Sequence, residues 1–170
     1  MNEKCYITKY NSPVGILTIA SDGKNIVGLW IEGQKYFAST LDNTVYKEEL
    51  SIFEDTKIWL ERYFNGENPS MNLPLAPNGS EFRKSVWDIL QKIPYGETTT
   101  YGKIAKKLEG QSAGKRVSAQ AVGGAVGHNP ISILIPCHRV IGSNGNMIGY
   151  AGGIEKKIKL LKLEKINILS

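Results

Sequence analysis

A run rich in proline and glycine between Gly66 and Ser80 constrains the folding of this chain more than any other feature. It contains three prolines and two glycines in 15 residues. Such a run continues neither a helix nor a central strand, so we predict an extended linker. The linker separates an N-terminal domain over residues 1–75 from a C-terminal domain over residues 80–170. A chain of 170 residues is long enough to bury a core in this arrangement.

The two parts of the chain differ in charge. Residues 1–79 hold 7 basic and 10 acidic side chains, whereas residues 80–170 hold 14 basic and 6 acidic ones. A basic half is typical of a protein with a polyanionic partner such as nucleic acid, because phosphate contacts dominate such affinity. A solvated lysine-rich surface would give the same count, so charge alone leaves both interpretations open.

The predicted elements give an α+β fold. In the N-terminal part, short apolar runs between turn residues predict strands over Cys5–Tyr10, Gly15–Ala20 and Asn25–Ile31. Apolar spacing then predicts an amphipathic helix over about residues 47–64. We therefore expect a small sheet with a flanking helix in this part of the chain.

The C-terminal part has the pattern of a mostly helical domain. Apolar spacing predicts helices over about residues 81–92, 101–108, 117–127 and 155–166, with a break at Glu109-Gly110-Gln111. Thr100 is placed to cap the second helix. The second and third helices, joined by that break, predict a helix-turn-helix, although any helical hairpin gives the same signal. Ile131–Ile135 should be a buried extended run. The residues of the last helix expected to face inward are Ile154, Ile158 and Leu161.

Composition excludes several classes of protein. No apolar run approaches a membrane span, and the start of the chain lacks a signal-peptide pattern. The only two cysteines, Cys5 and Cys137, form no disulfide framework, so a reducing cytoplasm is the expected location. These cysteines, His128 and His138 show no paired-ligand spacing, and we expect no metal and no other cofactor.

The apolar run ends in Pro136-Cys137-His138-Arg139-Val140, which places a thiol, an imidazole and a guanidinium side by side. A cysteine is a useful nucleophile only as the thiolate, and a neighbouring histidine or cation favours that form. The competing interpretation is a buried structural cysteine beside a surface His-Arg pair, since free cysteine is among the most buried residue types. A protein that uses a thiol for chemistry on DNA needs a nucleophile, a DNA-reading helix pair and a basic surface together.

In these features the chain resembles the O6-alkylguanine-DNA alkyltransferases, or methylated-DNA–protein-cysteine methyltransferases. Ile133–Val140 carries the resemblance, and further matches extend it to about residues 80–165; these are Tyr101, residues 120–125, Asn129-Pro130, residues 149–153 and residues 160–164. The N-terminal part fits the family's ribonuclease H-like domain only in size and pattern. The resemblance implies direct-reversal DNA repair, in which a flipped alkylguanine passes its O6-alkyl group to a cysteine once and irreversibly. O4-alkylthymine is a second candidate substrate.

The resemblance also implies a role for individual residues. Cys137 would be the alkyl acceptor, His138 would relay the thiol proton through a water, and Glu164 would orient that histidine, as in a triad with water inserted. Asn129 would be a hinge between the recognition helix and the active-site segment, although a plain helix end before a proline explains it too. Tyr101 would help to rotate the target nucleotide and hydrogen-bond its base, or it is a core-facing residue at a helix start.

The same resemblance predicts a substrate pocket and a DNA-contacting helix. The pocket residues are Val140, Ser132, Tyr150, Ala151 and Gly149. The DNA-contacting residues are Gln120, Ala121, Gly123, Gly124 and Tyr101. The partner is double-stranded DNA, contacted through its minor groove by a monomer, with no membrane involved. Arg139 is expected to pair with a carboxylate in preference to contacting DNA, and Cys5 is expected to be a bystander on the first strand.

Two positions depart from the pattern of the family. Gln120 stands where some members have an arginine that fills the gap left by the flipped base, so base flipping would have less electrostatic support. Ser132 stands where some members have a proline over the pocket, which changes the room for alkyl groups and for free-base inhibitors.

Two functions of other classes compete with alkyl transfer. A cysteine hydrolase would use Cys137 and His138, but nothing in the sequence marks an oxyanion hole, and the basic half would be unexplained. A non-catalytic module that binds damaged DNA would not require the intact motif around Cys137.

Overall fold

The computed structural model describes residues 4–41, 45–47, 49–146 and 150–165, which form two compact units. The first unit comprises the described residues up to Asn78 together with Pro130–Leu134. The second comprises Gly79–Asn129 and the described residues from Ile135 onward. The predicted α+β class, with a sheet and helix first and a mostly helical part second, is confirmed. No helix in the described ranges is long and apolar enough to cross a membrane.

The first unit is built on a four-stranded sheet. Its strands are β1 (Cys5–Ser12), β2 (Gly15–Ser21), β3 (Ile26–Ile31) and β4 (Val45–Lys47), in the order β3-β2-β1-β4. The three predicted strands are present and are antiparallel neighbours, whereas β4 runs parallel to β1. Helix α1 (Ser51–Phe64) follows. The predicted helix start near residue 47 is wrong, because Val45–Lys47 pairs with the edge of the sheet instead.

Both faces of this sheet are covered by apolar groups. Helix α1 buries Phe53 and Leu60 among other residues, and it contacts β1 and β2. A separate cluster joins Cys5, Ala20 and the Trp30 indole, and Cys5 is 5% exposed there. Cys5 therefore packs as a small apolar group, which confirms its expected place on the first strand.

A segment distant in sequence extends the same unit. The Leu29 N–H donates to the Pro130 carbonyl at 2.8 Å, and the Ser132 N–H donates to the Leu29 carbonyl at 2.9 Å. The run that follows is buried, as predicted, but it is not extended throughout. Ile133 has a φ of 71°, and the Leu134 N–H donates to the Ser132 carbonyl at 2.8 Å, so the chain turns here.

In its described residues, the second unit contains four α-helices and a short parallel ladder. The helices are α2 (Glu81–Gln91), α3 (Tyr101–Gln111), α4 (Ala119–Gly127) and α5 (Ile154–Leu163). The ladder pairs β5 (Thr99–Thr100) with β6 (Val140–Ile141). Side-chain oxygens of Ser80, Thr100 and Ser118 cap α2, α3 and α4, each accepting from the N–H three residues on. The predicted cap at Thr100 is confirmed.

Two details of the second unit differ from prediction. The expected break at residues 109–111 is wrong, because α3 continues through Gly110 to Gln111 and the chain turns only at Ala113 and Gly114. Ile154 is not inward-facing but 50% exposed, since it is the first residue of α5, whereas Leu161 is fully buried. Ile166, the predicted end of that helix, lies outside the described residues.

Packing at Gly28 generates a testable prediction. A Cβ atom at this position would lie 2.1 Å from the nearest atom of the fully packed Trp30 indole. We expect Gly28→Ala to lower the free energy of unfolding by about 1–3 kcal/mol, because a rigid ring cannot yield. Urea unfolding measures the change. The control variant Ile58→Ala, at a position 57% exposed on α1, should change stability by less than about 0.5 kcal/mol. Equal effects of the two variants would contradict this packing.

Candidate active site

The Cys137 segment is a short, buried turn. Residues Cys137–Arg139 form one turn of 3-10 helix after Pro136, and the chain then enters β6. Cys137 is 4% exposed, and its N–H donates to the Ile135 carbonyl at 2.8 Å. Because this segment is a tight turn, the side chains of Cys137, His138 and Arg139 contact different residues of the second unit.

Asn129 links the end of α4 to this turn. Its side-chain Nδ2 donates to the Ile135 carbonyl at 2.8 Å, and its amide also hydrogen-bonds the Cys137 side chain. Asn129 is 3% exposed. The Asn129 side chain therefore joins the end of α4 to the turn that contains Cys137.

Glu164 joins the two residues that follow Cys137. Its Oε2 lies 2.6 Å from His138 Nε2, and its Oε1 accepts from Arg139 Nε at 2.8 Å. Arg139 also donates to the Ile93 carbonyl at 2.7 Å. The side chains of His138 and Glu164 are fully buried. The prediction that Arg139 pairs with a carboxylate is confirmed, and that carboxylate is the one that contacts His138.

The protonation states of this network follow from its contacts. Burial alone would raise the pKa of Glu164, but hydrogen bonds from His138 and Arg139 outweigh it and lower that pKa to about 2. Burial lowers the pKa of His138, although the contact with Glu164 opposes this shift. We therefore assign Glu164 as ionised and His138 as neutral at pH 7. An ionised carboxylate only accepts hydrogen bonds, so the His138 proton is on Nε2, and Nδ1 is the basic nitrogen.

Burial also raises the pKa of the Cys137 thiol, against smaller opposing effects of Asn129 and of the Lys157 charge. The resting site is therefore a neutral thiol beside a neutral imidazole, and not a thiolate–imidazolium pair. Such a thiol needs a base at the moment of reaction.

The sequence analysis missed Lys157, which belongs to the same site. This side chain is fully buried on α5, and its Nζ donates to the Val140 carbonyl. Burial lowers the pKa of Lys157 to about 8, while the Cys137 charge opposes the shift. The only sequence signal was a lysine on the otherwise apolar side of the last helix, between Ile154 and Leu161.

Two tyrosines, Tyr101 and Tyr150, interact electrostatically with Cys137. Tyr101 begins α3, and burial together with the negative charge of Cys137 raises its pKa. Its ring lies 3.8 Å from where a Cβ on Gly123 would stand, so α4 approaches it closely at that glycine. Tyr150 is 9% exposed, and burial raises its pKa well above 10. Its hydroxyl lacks a hydrogen-bond partner within the described ranges.

The remaining predicted residues are distributed more widely. Val140 is fully buried beside the turn, and Ala151 is half-buried. Ser132 belongs to the first unit, where its Oγ donates to Gln34 Oε1 at 3.2 Å. Gly149 lies outside the described residues.

Of the predicted DNA-contacting residues on α4, Gly123 is half-buried, and the exposed ones are Gln120, Ala121 and Gly124.

Comparisons with known proteins identify the family of this chain. The sequence model described as "6-O-methylguanine DNA methyltransferase, DNA binding domain" matches residues 81–166, and the one for the "ribonuclease-like domain" matches residues 5–77. A methylated-DNA–protein-cysteine methyltransferase of Haemophilus influenzae is 44% identical over 95% of this chain and 87% of its own length. One from Methanosarcina acetivorans is 44% identical over 94% of this chain and 97% of its own length.

Solved structures give the same result. The crystal structure of Mycobacterium tuberculosis OGT in complex with DNA matches with a TM-score of 0.80 and 38% identity, covering 95% of this chain and 92% of that one. The chain therefore belongs to the 6-O-methylguanine DNA methyltransferase family, as the motif around Cys137 predicted.

The Glu164 contacts predict a pH-dependent loss of stability. Because the folded-state pKa of Glu164 is lowered, its stabilisation is complete above about pH 4.5 and is lost as the pH falls toward about 2. We expect Glu164→Gln to cost about 2–4 kcal/mol of unfolding free energy at pH 7, and less at pH 3. Urea unfolding at both pH values measures this. The matched variant Glu155→Gln, exposed at the start of α5, should change little. A Glu164→Gln cost that is the same at both pH values would contradict this assignment.

Proposed function

We propose that this chain repairs DNA by direct reversal, moving the alkyl group of O6-alkylguanine onto the Cys137 sulfur in a reaction that each molecule performs once. The observation that carries the proposal is the buried contact by which Glu164 orients His138, the residue next to Cys137. Support for DNA as the substrate comes from the family's DNA-binding domain match, the names of the relatives and the DNA complex of the Mycobacterium tuberculosis protein.

The proposed chemistry is a single displacement. The basic His138 nitrogen takes the thiol proton through a bridging water, while Glu164 holds the ring in the required tautomer. The Cys137 sulfur then forms a bond to the alkyl carbon as the bond from that carbon to the guanine O6 breaks. Guanine leaves with the electron pair of the broken bond and takes up one proton. The net result of these steps is the transfer of one proton from the Cys137 thiol to guanine. The thioether product does not hydrolyse, which limits each molecule to one reaction.

Tyr101 is the proposed hydrogen-bond donor to the departing base, and it keeps its own proton throughout. Because burial raises its pKa, the phenol keeps its proton at neutral pH and is able to donate a hydrogen bond. A donor at this place stabilises the negative charge that develops on guanine in the transition state. The position of Tyr101 at the start of α3 and close to Gly123 supports this role, since both helices of the pair then meet at the reacting base.

The helix pair α3–α4 is the proposed DNA-binding element. A thiol that is 4% exposed cannot reach an alkyl carbon inside a duplex, so the target nucleotide must be rotated out of the stack. Exposed Gln120 is the candidate to occupy the gap left behind, and the small residues Ala121 and Gly124 permit close approach of α4 to the minor groove. We propose that the protein binds as a monomer.

We propose that residues 1–75 brace the catalytic part and do not contact DNA.

The acceptor must be a free thiol before it reacts, and both cysteines are free and buried in the described structure. This requirement supports a reducing location, which is the cytoplasm.

The acceptor assignment predicts different outcomes for the two cysteines. After incubation with excess duplex DNA carrying O6-methylguanine, wild-type protein should gain one methyl group in place of one hydrogen, located on Cys137. Cys137→Ala should bind the DNA and gain nothing, because the nucleophile is absent. The matched variant Cys5→Ala should react like wild type, since Cys5 is buried in the other unit. Intact-protein and peptide mass spectrometry measure both.

Methyl gain by Cys137→Ala would overturn the acceptor assignment. An unchanged mass of the wild-type protein, combined with tight binding, would identify a damage sensor. Continuous turnover of an ester substrate would identify a cysteine hydrolase.

The proposed donor role makes a separate prediction. Tyr101→Phe should slow single-turnover methyl transfer by about 10²-fold, because the base then leaves without a hydrogen-bond donor. Its affinity for the same DNA should change only slightly, since many phosphate contacts share the binding energy. Rapid-quench transfer rates and fluorescence anisotropy separate the two quantities. A parallel loss of both rate and affinity would show that Tyr101 has a structural role instead.

A further inference from the structure

The proposed recognition helix has an unusual composition for an element that binds a polyanion. Helix α4 (Ala119–Gly127) contains no charged residue. Phosphate contacts supply most of the affinity of a protein for DNA, and lysine and arginine usually make them. The phosphates beside α4 must therefore be contacted by neighbouring elements.

The connection between α3 and α4, residues 112–118, is ordered by specific contacts. Ala113 and Gly114 adopt left-handed backbone conformations, with φ values of 55° and 82°. The Gly114 N–H donates to the Glu109 carbonyl at 3.0 Å, and the Val117 N–H donates to Glu109 Oε1 at 2.9 Å. This carboxylate therefore fixes the connection to the last turns of α3 and sets the direction in which its side chains project.

This connection presents two cations immediately before α4. Lys115 and Arg116 are both exposed, and neither forms an ion pair with any residue that the structure describes. They line a groove of about 690 Å³ that is bounded by the first turn of α4 and the first turns of α2. Ser118 contributes a hydroxyl group to the groove, whereas the Ser85 hydroxyl donates to the Glu81 carbonyl at 2.9 Å. Phe82 contributes an apolar wall, and Glu81 contributes the single carboxylate.

We infer that Lys115 and Arg116 form a phosphate clamp, which binds the sugar-phosphate backbone of one DNA strand alongside α4. The inference rests on the proposed function, because it requires the DNA to lie on the α3–α4 pair. Two exposed cations and the Ser118 hydroxyl match the chemistry of backbone phosphates, and contacts to phosphates carry no information about the base. The clamp should therefore support binding to alkylated and unmodified duplexes equally.

The test compares two double variants of equal charge change. Lys115→Gln/Arg116→Gln removes the clamp, and Lys24→Gln/Lys35→Gln removes two exposed lysines from the first unit. Dissociation constants are measured by anisotropy between 50 and about 200 mM salt, on a duplex with O6-methylguanine and on the same duplex with guanine. Thermal unfolding midpoints establish that each variant is folded.

The clamp variant should bind both duplexes about tenfold or more weakly at low salt, and its log–log salt slope should be smaller by about 1.8. The control variant should change neither quantity. Glu81→Gln should have the opposite effect and strengthen binding to both duplexes, because it removes a carboxylate from the groove that would hold the DNA backbone. An unchanged slope in the clamp variant, or a loss confined to the alkylated duplex, would overturn the inference.

Methyl transfer at saturating DNA distinguishes this result from a failure of the proposed function. If the clamp exists, Lys115→Gln/Arg116→Gln should still methylate Cys137 fully once the DNA concentration exceeds the raised dissociation constant. If wild-type protein binds DNA with the expected slope but gains no methyl group, the repair function fails while the clamp stands.

Discussion

The site depends on one buried carboxylate. Glu164 stands at the end of α5 and accepts hydrogen bonds from both His138 and Arg139, so it fixes the turn that contains Cys137. A buried charge is tolerated only when it is paired and fully hydrogen-bonded, and here the Arg139 guanidinium supplies the counter-charge. The same carboxylate therefore stabilises the C-terminal unit and sets the tautomer of His138. Glu164 therefore contributes both to the folded structure and to the protonation state of the site.

The burial of the thiol explains how a reactive cysteine can persist until it meets damage. Burial raises the pKa of Cys137 and lowers that of His138, so the resting pair is neutral and a poor nucleophile toward adventitious electrophiles. The Lys157 cation partly offsets the cost of forming a thiolate, and its contact with the Val140 carbonyl keeps it near the site.

Sequence patterns predicted those features that interactions between residues close in sequence determine. Alternating apolar residues located β1, β2 and β3, and Thr100 was recognisable as a cap because its hydroxyl acts within one turn. The motif around Cys137 identified the family. Features set by distant contacts were not predictable: the pairing of Val45–Lys47 with β1, the turn at Ile133, and the burial of Lys157. Lysine is ordinarily a surface residue, so only the packed structure shows that this one lies inside.

The central claim is that burial keeps His138 neutral, while Glu164 holds its proton on Nε2 and leaves Nδ1 as the basic nitrogen. Nitrogen-15 NMR of the imidazole rings tests it directly, because the chain has only two histidines and His128→Gln assigns the spectrum. We predict a neutral Nε2–H tautomer for His138 at pH 7, with protonation only below its usual pKa of 6.5. A doubly protonated ring at pH 7 would contradict the account.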